Sequence, residues 1–129
     1  MKISCIKESC LYVKDISQTT EFYKGVLGLS VISKVDGRHV FFRVGKGVLL
    51  CFIPEATKAE KVLPPHFSKG PHHIAFEVPL QEYYHWKTAL TNAGIEITHE
   101  QLWSKGHRSF YFEDPDANVL EIVQPGMWD

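Results

Sequence analysis

The sequence predicts an α+β fold built from two copies of one βαβββ unit. Two stretches carry helical periodicity; each is preceded by one extended stretch and followed by three, and a Pro/Lys/Ala-rich segment separates the two sets. The halves also match at turns and strand ends. Gly28-Leu29 aligns with Gly94-Ile95, and Gly37-Arg38-His39-Val40-Phe41-Phe42 with Gly106-His107-Arg108-Ser109-Phe110-Tyr111. Val48-Leu49-Leu50 and Pro54 align with Val119-Leu120-Glu121 and Pro125. In this alignment Glu8 matches His73.

The elements follow in order. An extended stretch from Ile3 to Val13 stops at Lys14-Asp15. Asp15 followed three residues later by Gln18 reads as a capping box. Ile16, Thr19 or Thr20, Tyr23 and Val26 or Leu27 then recur at helical spacing, and Gly28 supplies a C-terminal cap. Three strands are expected over Leu29–Val35, His39–Val44 and Val48–Ile53. Asp36-Gly37 and Gly45-Lys46-Gly47 fit the hairpins between them, because Gly and Asp tolerate positive φ. Residues 3–54 thus form the first module. Residues 55–70 read as a linker with at most one helical turn, over Ala56–Val62.

Residues 71–125 repeat the pattern. His73–Val78 is a strand, and Leu80, Tyr83, Trp86, Leu90 and Ala93 mark a helix that Gly94 ends. Ile95–Leu102, Arg108–Phe112 and Val119–Val123 are three more strands. Asp114-Pro115-Asp116 turns the chain between the last two.

Composition narrows the function. At 129 residues the chain suits one domain, too small for a TIM barrel or for a dinucleotide-binding enzyme with a separate substrate domain. Fourteen Lys and Arg against fifteen Asp and Glu give a net charge of -1, with no excess to draw nucleic acid or an anionic membrane. Three cysteines without CxxC spacing, Cys5, Cys10 and Cys51, argue against a disulfide framework and a structural zinc site. No apolar run is long enough for a membrane span, and the N-terminus lacks the apolar core of a signal peptide. A cytoplasmic setting is the expectation.

The segments CLYVKDISQTTEFYKGVLGLSVI, GPHHIAFEV and RSFYFEDPDANVLEIV resemble the vicinal oxygen chelate superfamily, which holds glyoxalase I, the fosfomycin and bleomycin resistance proteins and the extradiol dioxygenases. With the matched hairpins, the resemblance covers about residues 4–125. It implies a glyoxalase-like, curved mixed β-sheet around a cavity with a divalent metal (Zn, Mn, Fe, Ni, Co or Mg) at its base. It also implies a homodimer with the site near the interface and a small-molecule substrate.

Carried over residue by residue, the resemblance assigns the metal to Glu8, His73 and Glu121. Glu8 stands where glyoxalases typically carry His, and Leu50 replaces the fourth glyoxalase ligand with an apolar side chain. Two carboxylates and one imidazole make a hard, oxygen-rich donor set. Glu121 lies between apolar neighbours, where a buried carboxylate needs a cation opposite it. Glu8 or Glu121 could move a proton, and Tyr111 could donate one to a metal-bound oxygen. Arg108 or His107 could hold an anionic substrate group, and Trp103 could wall an apolar pocket. The ordinary alternatives are solvated hairpin charges and packed aromatics.

The expected function is metal-dependent lyase, isomerase or transferase chemistry on a small substrate chelated through vicinal oxygens. The alternative is a non-catalytic protein that binds or sequesters a small molecule, as the bleomycin resistance proteins do, with no metal.

Overall fold

A computed structural model describes all 129 residues. The chain forms two compact units, Met1–Gly70 and Pro71–Asp129. In the first unit β1 (Glu8–Tyr12) leads into α1 (Ile16–Thr20), which continues as a π-helical stretch over Glu21–Val26. Strands β2 (Ser30–Val35), β3 (His39–Val44) and β4 (Gly47–Phe52) follow, then a single helical turn, α2 (Pro54–Thr57). The second unit runs β5 (His73–Glu77), a 3-10 turn over Leu80–Glu82, α3 (Tyr83–Asn92), β6 (His99–Leu102), β7 (Arg108–Glu113) and β8 (Val119–Val123).

Each unit holds one mixed four-stranded sheet, in the order β1-β4-β3-β2 and β5-β8-β7-β6. The βα connection makes the first pair of each sheet parallel, and hairpins make the other pairs antiparallel. This corrects the expectation of one curved sheet around a cavity. The strands hydrogen-bond in two separate open sheets, each with two free edges. Four strands twist against one another but are too few to close, which in small barrels takes about eight.

Alternation along the strands decides what each sheet buries. In the first unit Val40 and Phe42 on β3 and Leu49 and Cys51 on β4 pack on the helical side, with Tyr23 of the helix 5.4 Å from the Phe42 ring. In the second, Phe110 and Phe112 on β7 and Leu120 and Ile122 on β8 do the same, and Tyr83 of α3 lies 5.3 Å from Phe110. Burying a side chain of this size contributes about 1.5–3 kcal/mol. Asp15 caps α1 by accepting the Gln18 N–H at 2.8 Å, and Gly28 leaves the helix at φ 72°.

The register corrects the repeat by one residue. Glu8 pairs with Val48 as His73 pairs with Val119, so Leu50 and Glu121 are equivalent, as the sequence suggests. Phe41, however, pairs with Leu50, and Tyr111 with Glu121. Tyr111 is therefore the counterpart of Phe41 rather than Phe42. The turns explain the slip. Three residues join β2 to β3, whereas five join β6 to β7. A one-residue slip moves a whole strand to the other face.

Candidate functional site

The sheet face of the second unit that points away from α3 carries the candidate chemistry. On β7 it presents Ser109 and Tyr111, and on β8 Glu121 and Val123. Glu121 pairs across the strands with Tyr111, and Tyr111 with His99. On the other side Glu121 pairs with Ala75, whose methyl leaves space beside it. His73, one pleat earlier on β5, fills that space. Its Nε2 lies 3.2 Å from Oε2 of Glu121.

The imidazole is oriented from behind. Nδ1 lies 2.9 Å from the Val119 carbonyl, which can only accept, so Nδ1 carries the proton and Nε2 faces Glu121. The backbone before His73 is held as well. The His72 N–H donates to Oδ1 of Asn118 at 2.9 Å, and the His72 carbonyl accepts from Val119 N at 2.8 Å. Asn118 is fixed in turn by Asp114, which accepts its backbone N–H at 2.8 Å and its side-chain Nδ2 at 2.9 Å.

Glu121 is only 4% exposed, and its Oε1 has no hydrogen-bond partner. A buried carboxylate oxygen without a donor is costly, which marks the place where a cation or a ligand proton would be stabilised. Tyr111 stands on the same carboxylate. Burial first, then the hydrogen bond to Glu121 and its charge, push the phenol pKa up, while Ser109 acts in the opposite direction. Ser109 is fully buried and accepts the Trp103 indole N–H at 2.9 Å. Indole nitrogen only donates. The Ser109 proton is thus not taken by the indole, and Ser109 and Glu121 are the two side chains that act on the Tyr111 phenol. The ring of His99, 5.8 Å from that of Tyr111, flanks the row.

The donor set can be tested against the implied metal. A histidine whose Nδ1–H is tied to a carbonyl presents Nε2 in the way metal-ligating histidines do. A 3.2 Å separation from Glu121 Oε2 suits two donors of one ion at bond lengths of about 2.1 Å. His73 and Glu121 therefore fit as a pair. No three His, Cys, Asp or Glu side chains gather where an ion could be held.

The remaining sequence candidates are distributed as follows. Glu8, at the start of β1, lines a pocket of the first unit with Leu50 and Arg38. Arg108 falls on the strand face of Phe110 and Phe112, opposite to that of Tyr111, and its charge acts on Tyr83 of α3. His107 lines a small cavity of about 180 Å³ with Trp103, Lys105 and Trp128, and its Nδ1 is buried without a partner. Trp103 also enters the site row through its bond to Ser109. Sequence reasoning missed Ser109, His99 and Asn118. The strand alternation that selects Tyr111 would also have selected Ser109.

Comparison with known proteins agrees with this architecture. Residues 5–122 match the family model of the Glyoxalase/Bleomycin resistance protein/Dioxygenase superfamily. The crystal structure of a lactoylglutathione lyase from Agrobacterium tumefaciens superposes with a TM-score of 0.95 at 31% identity, covering 99% of this chain and 98% of that one. A metallothiol transferase, FosB, of Staphylococcus epidermidis is 26% identical over 95% of this chain and 82% of its own length. A catechol-2,3-dioxygenase of Bacillus subtilis is 30% identical over 87% of this chain, which spans 38% of that protein.

Proposed function

The chain belongs to the glyoxalase, bleomycin resistance protein and dioxygenase superfamily, and from that premise we propose that it is a divalent-metal-dependent enzyme acting on a small oxygenated molecule. The reading rests on one observation above others, the buried Glu121 carboxylate with an unpartnered oxygen beside an oriented His73. Similarity to a lyase, a thiol transferase and a dioxygenase supports metal-associated small-molecule chemistry without choosing among those reactions.

In this proposal His73 and Glu121 hold the ion. When bound, the metal supplies Lewis-acid polarisation of substrate oxygens. The chain's own groups do the rest. The Val119 carbonyl fixes the His73 ring, Ser109 and Trp103 orient the Tyr111 hydroxyl, and Tyr111 holds a proton beside the carboxylate. A phenol with a raised pKa keeps that proton at neutral pH and can donate it to an oxygen that gains charge.

Titration calorimetry with Mn²⁺ or Zn²⁺ tests the reading. The wild type should take up close to one ion per chain. Glu121→Gln and His73→Gln should each weaken binding at least tenfold. Absence of stoichiometric uptake by the wild type would overturn the metal reading and favour a metal-free binding protein.

A further inference from the structure

The first unit has its own cavity, of about 230 Å³, on the sheet face turned away from its helix. Leu50, Phe41 and Phe52 form its floor, at positions equivalent to Glu121, Tyr111 and Val123 of the second unit. Its wall is the segment after α2. Thr57, which is 1% exposed, donates through Oγ1 to the His66 carbonyl and accepts the His66 N–H at its own carbonyl. This closes the segment on itself and sets the His66 ring 4.9 Å from that of Phe52. The cavity is therefore built from rings on more than one side. It is smaller than the ~300–1,000 Å³ of drug-sized ligand sites, which suits a single ring with a short substituent.

The rim adds a cation and a carboxylate that offset one another. The Arg38 guanidinium lies 5.9 Å over the Phe52 ring, reaches Nδ1 of His39 and touches Oε1 of Glu60 at 3.4 Å. A guanidinium has five N–H donors, so Arg38 keeps donors to spare, and Glu60 keeps a second oxygen. The rim thus offers a donor and an acceptor side by side, with their charges opposed. Glu8 adds a carboxylate that is exposed to solvent, where its field is screened.

We propose that this cavity binds small uncharged aromatic compounds bearing one group that both donates and accepts a hydrogen bond, such as a primary carboxamide. Binding itself requires no metal. Its connection to a substrate does rest on the proposed function.

The test is titration of the full chain, without added metal, with benzamide, followed by amide and aromatic chemical shifts. Saturable shifts are expected at Phe41, Phe52 and His66. Benzoate and benzylammonium should bind at least threefold more weakly. Arg38→Met and Glu60→Leu should each weaken benzamide at least fivefold, and Leu50→Trp, which fills the floor, should abolish it. Circular dichroism checks that Leu50→Trp folds; Arg38 and Glu60 are partly exposed rim residues and keep the test decisive if it does not. Equal or tighter binding of either charged probe, or variants indistinguishable from wild type, would overturn the proposal. Failure of the metal reading shows separately, as absent ion uptake with benzamide binding intact.

Discussion

Trp103 donates its indole N–H to Oγ of Ser109 across 2.9 Å, and that bond sets the polarity of everything beyond it. Because the indole cannot accept, Ser109 must, and its own proton is left for another acceptor. Ser109 is the one group that draws the Tyr111 pKa down against burial and the Glu121 carboxylate. Ser109→Ala should therefore move the Tyr111 phenol still higher. Trp103→Phe, which keeps a ring but frees the serine hydroxyl to rotate, should act in the same direction and more weakly. Tyrosinate absorbance through an alkaline titration, taken as a difference against Tyr111→Phe, measures both. A Ser109→Ala protein with an unchanged or lowered phenol pKa would remove Ser109 from the row. Loss of the hydroxyl should also cost about 1–2 kcal/mol of stability, because it strands a partly buried donor.

Asn118 ties a turn to the start of a strand. It is 1% exposed, and its amide both donates to Asp114 and accepts the His72 N–H. It thereby joins the β7–β8 turn to the strand that presents His73. Asn118→Ala should leave the part-buried His72 N–H without its acceptor, remove a hydrogen bond to Asp114 and destabilise the fold by about 2–3 kcal/mol. Thermal melting gives the total. Hydrogen exchange locates it, with faster exchange expected at His72 and along β5 than at the centre of α3. Uniform loss of protection would argue that Asn118 serves global stability alone.

The repeat was legible in the sequence because its markers are local. Gly28 and Gly94 end helices, and a strand leads into each helix and three follow. The matches of Glu8 with His73 and of Leu50 with Glu121 survive in the pairing, since β1 with β4 and β5 with β8 share one register. The hairpins failed for a reason equally local. The β6–β7 turn is two residues longer than the β2–β3 turn, and aligning through it shifts β7 by one residue. The expectation for Arg108 rests on hairpin strands lining a cavity, and strand alternation puts it on the face of Phe110 and Phe112. The expectation of one curved sheet came from resemblance alone, and hydrogen bonding between particular strands replaces it with two open sheets. Ser109 and Asn118 carry no motif; their roles come from burial and from partners 6 and 46 residues away in sequence.

His39 is the group through which mild acid should act on the first unit. It is 6% exposed, stacked on Phe41 with ring centroids 4.0 Å apart, and edge-on to Phe52. Arg38 reaches its Nδ1, and Oγ of Ser33 lies 2.9 Å from its Nε2. A guanidinium can only donate, so Nδ1 accepts and the proton resides on Nε2, facing the serine. Protonating Nδ1 would set an N–H against the cation and charge a buried ring. Burial first, and then the Arg38 charge, accordingly hold its pKa below the usual histidine value of about 6.5. As pH falls, the unfolded chain takes up this proton before the folded one. The contribution of His39 to stability is complete above about pH 6.5 and is lost progressively as pH drops through the lowered folded value. Denaturant midpoints measured from pH 8 to pH 5 should fall in that window for the wild type. His39→Asn should be less stable at pH 8 yet show a shallower decline, because its amide does not titrate. Parallel pH profiles for the two proteins would show that other groups carry the acid sensitivity.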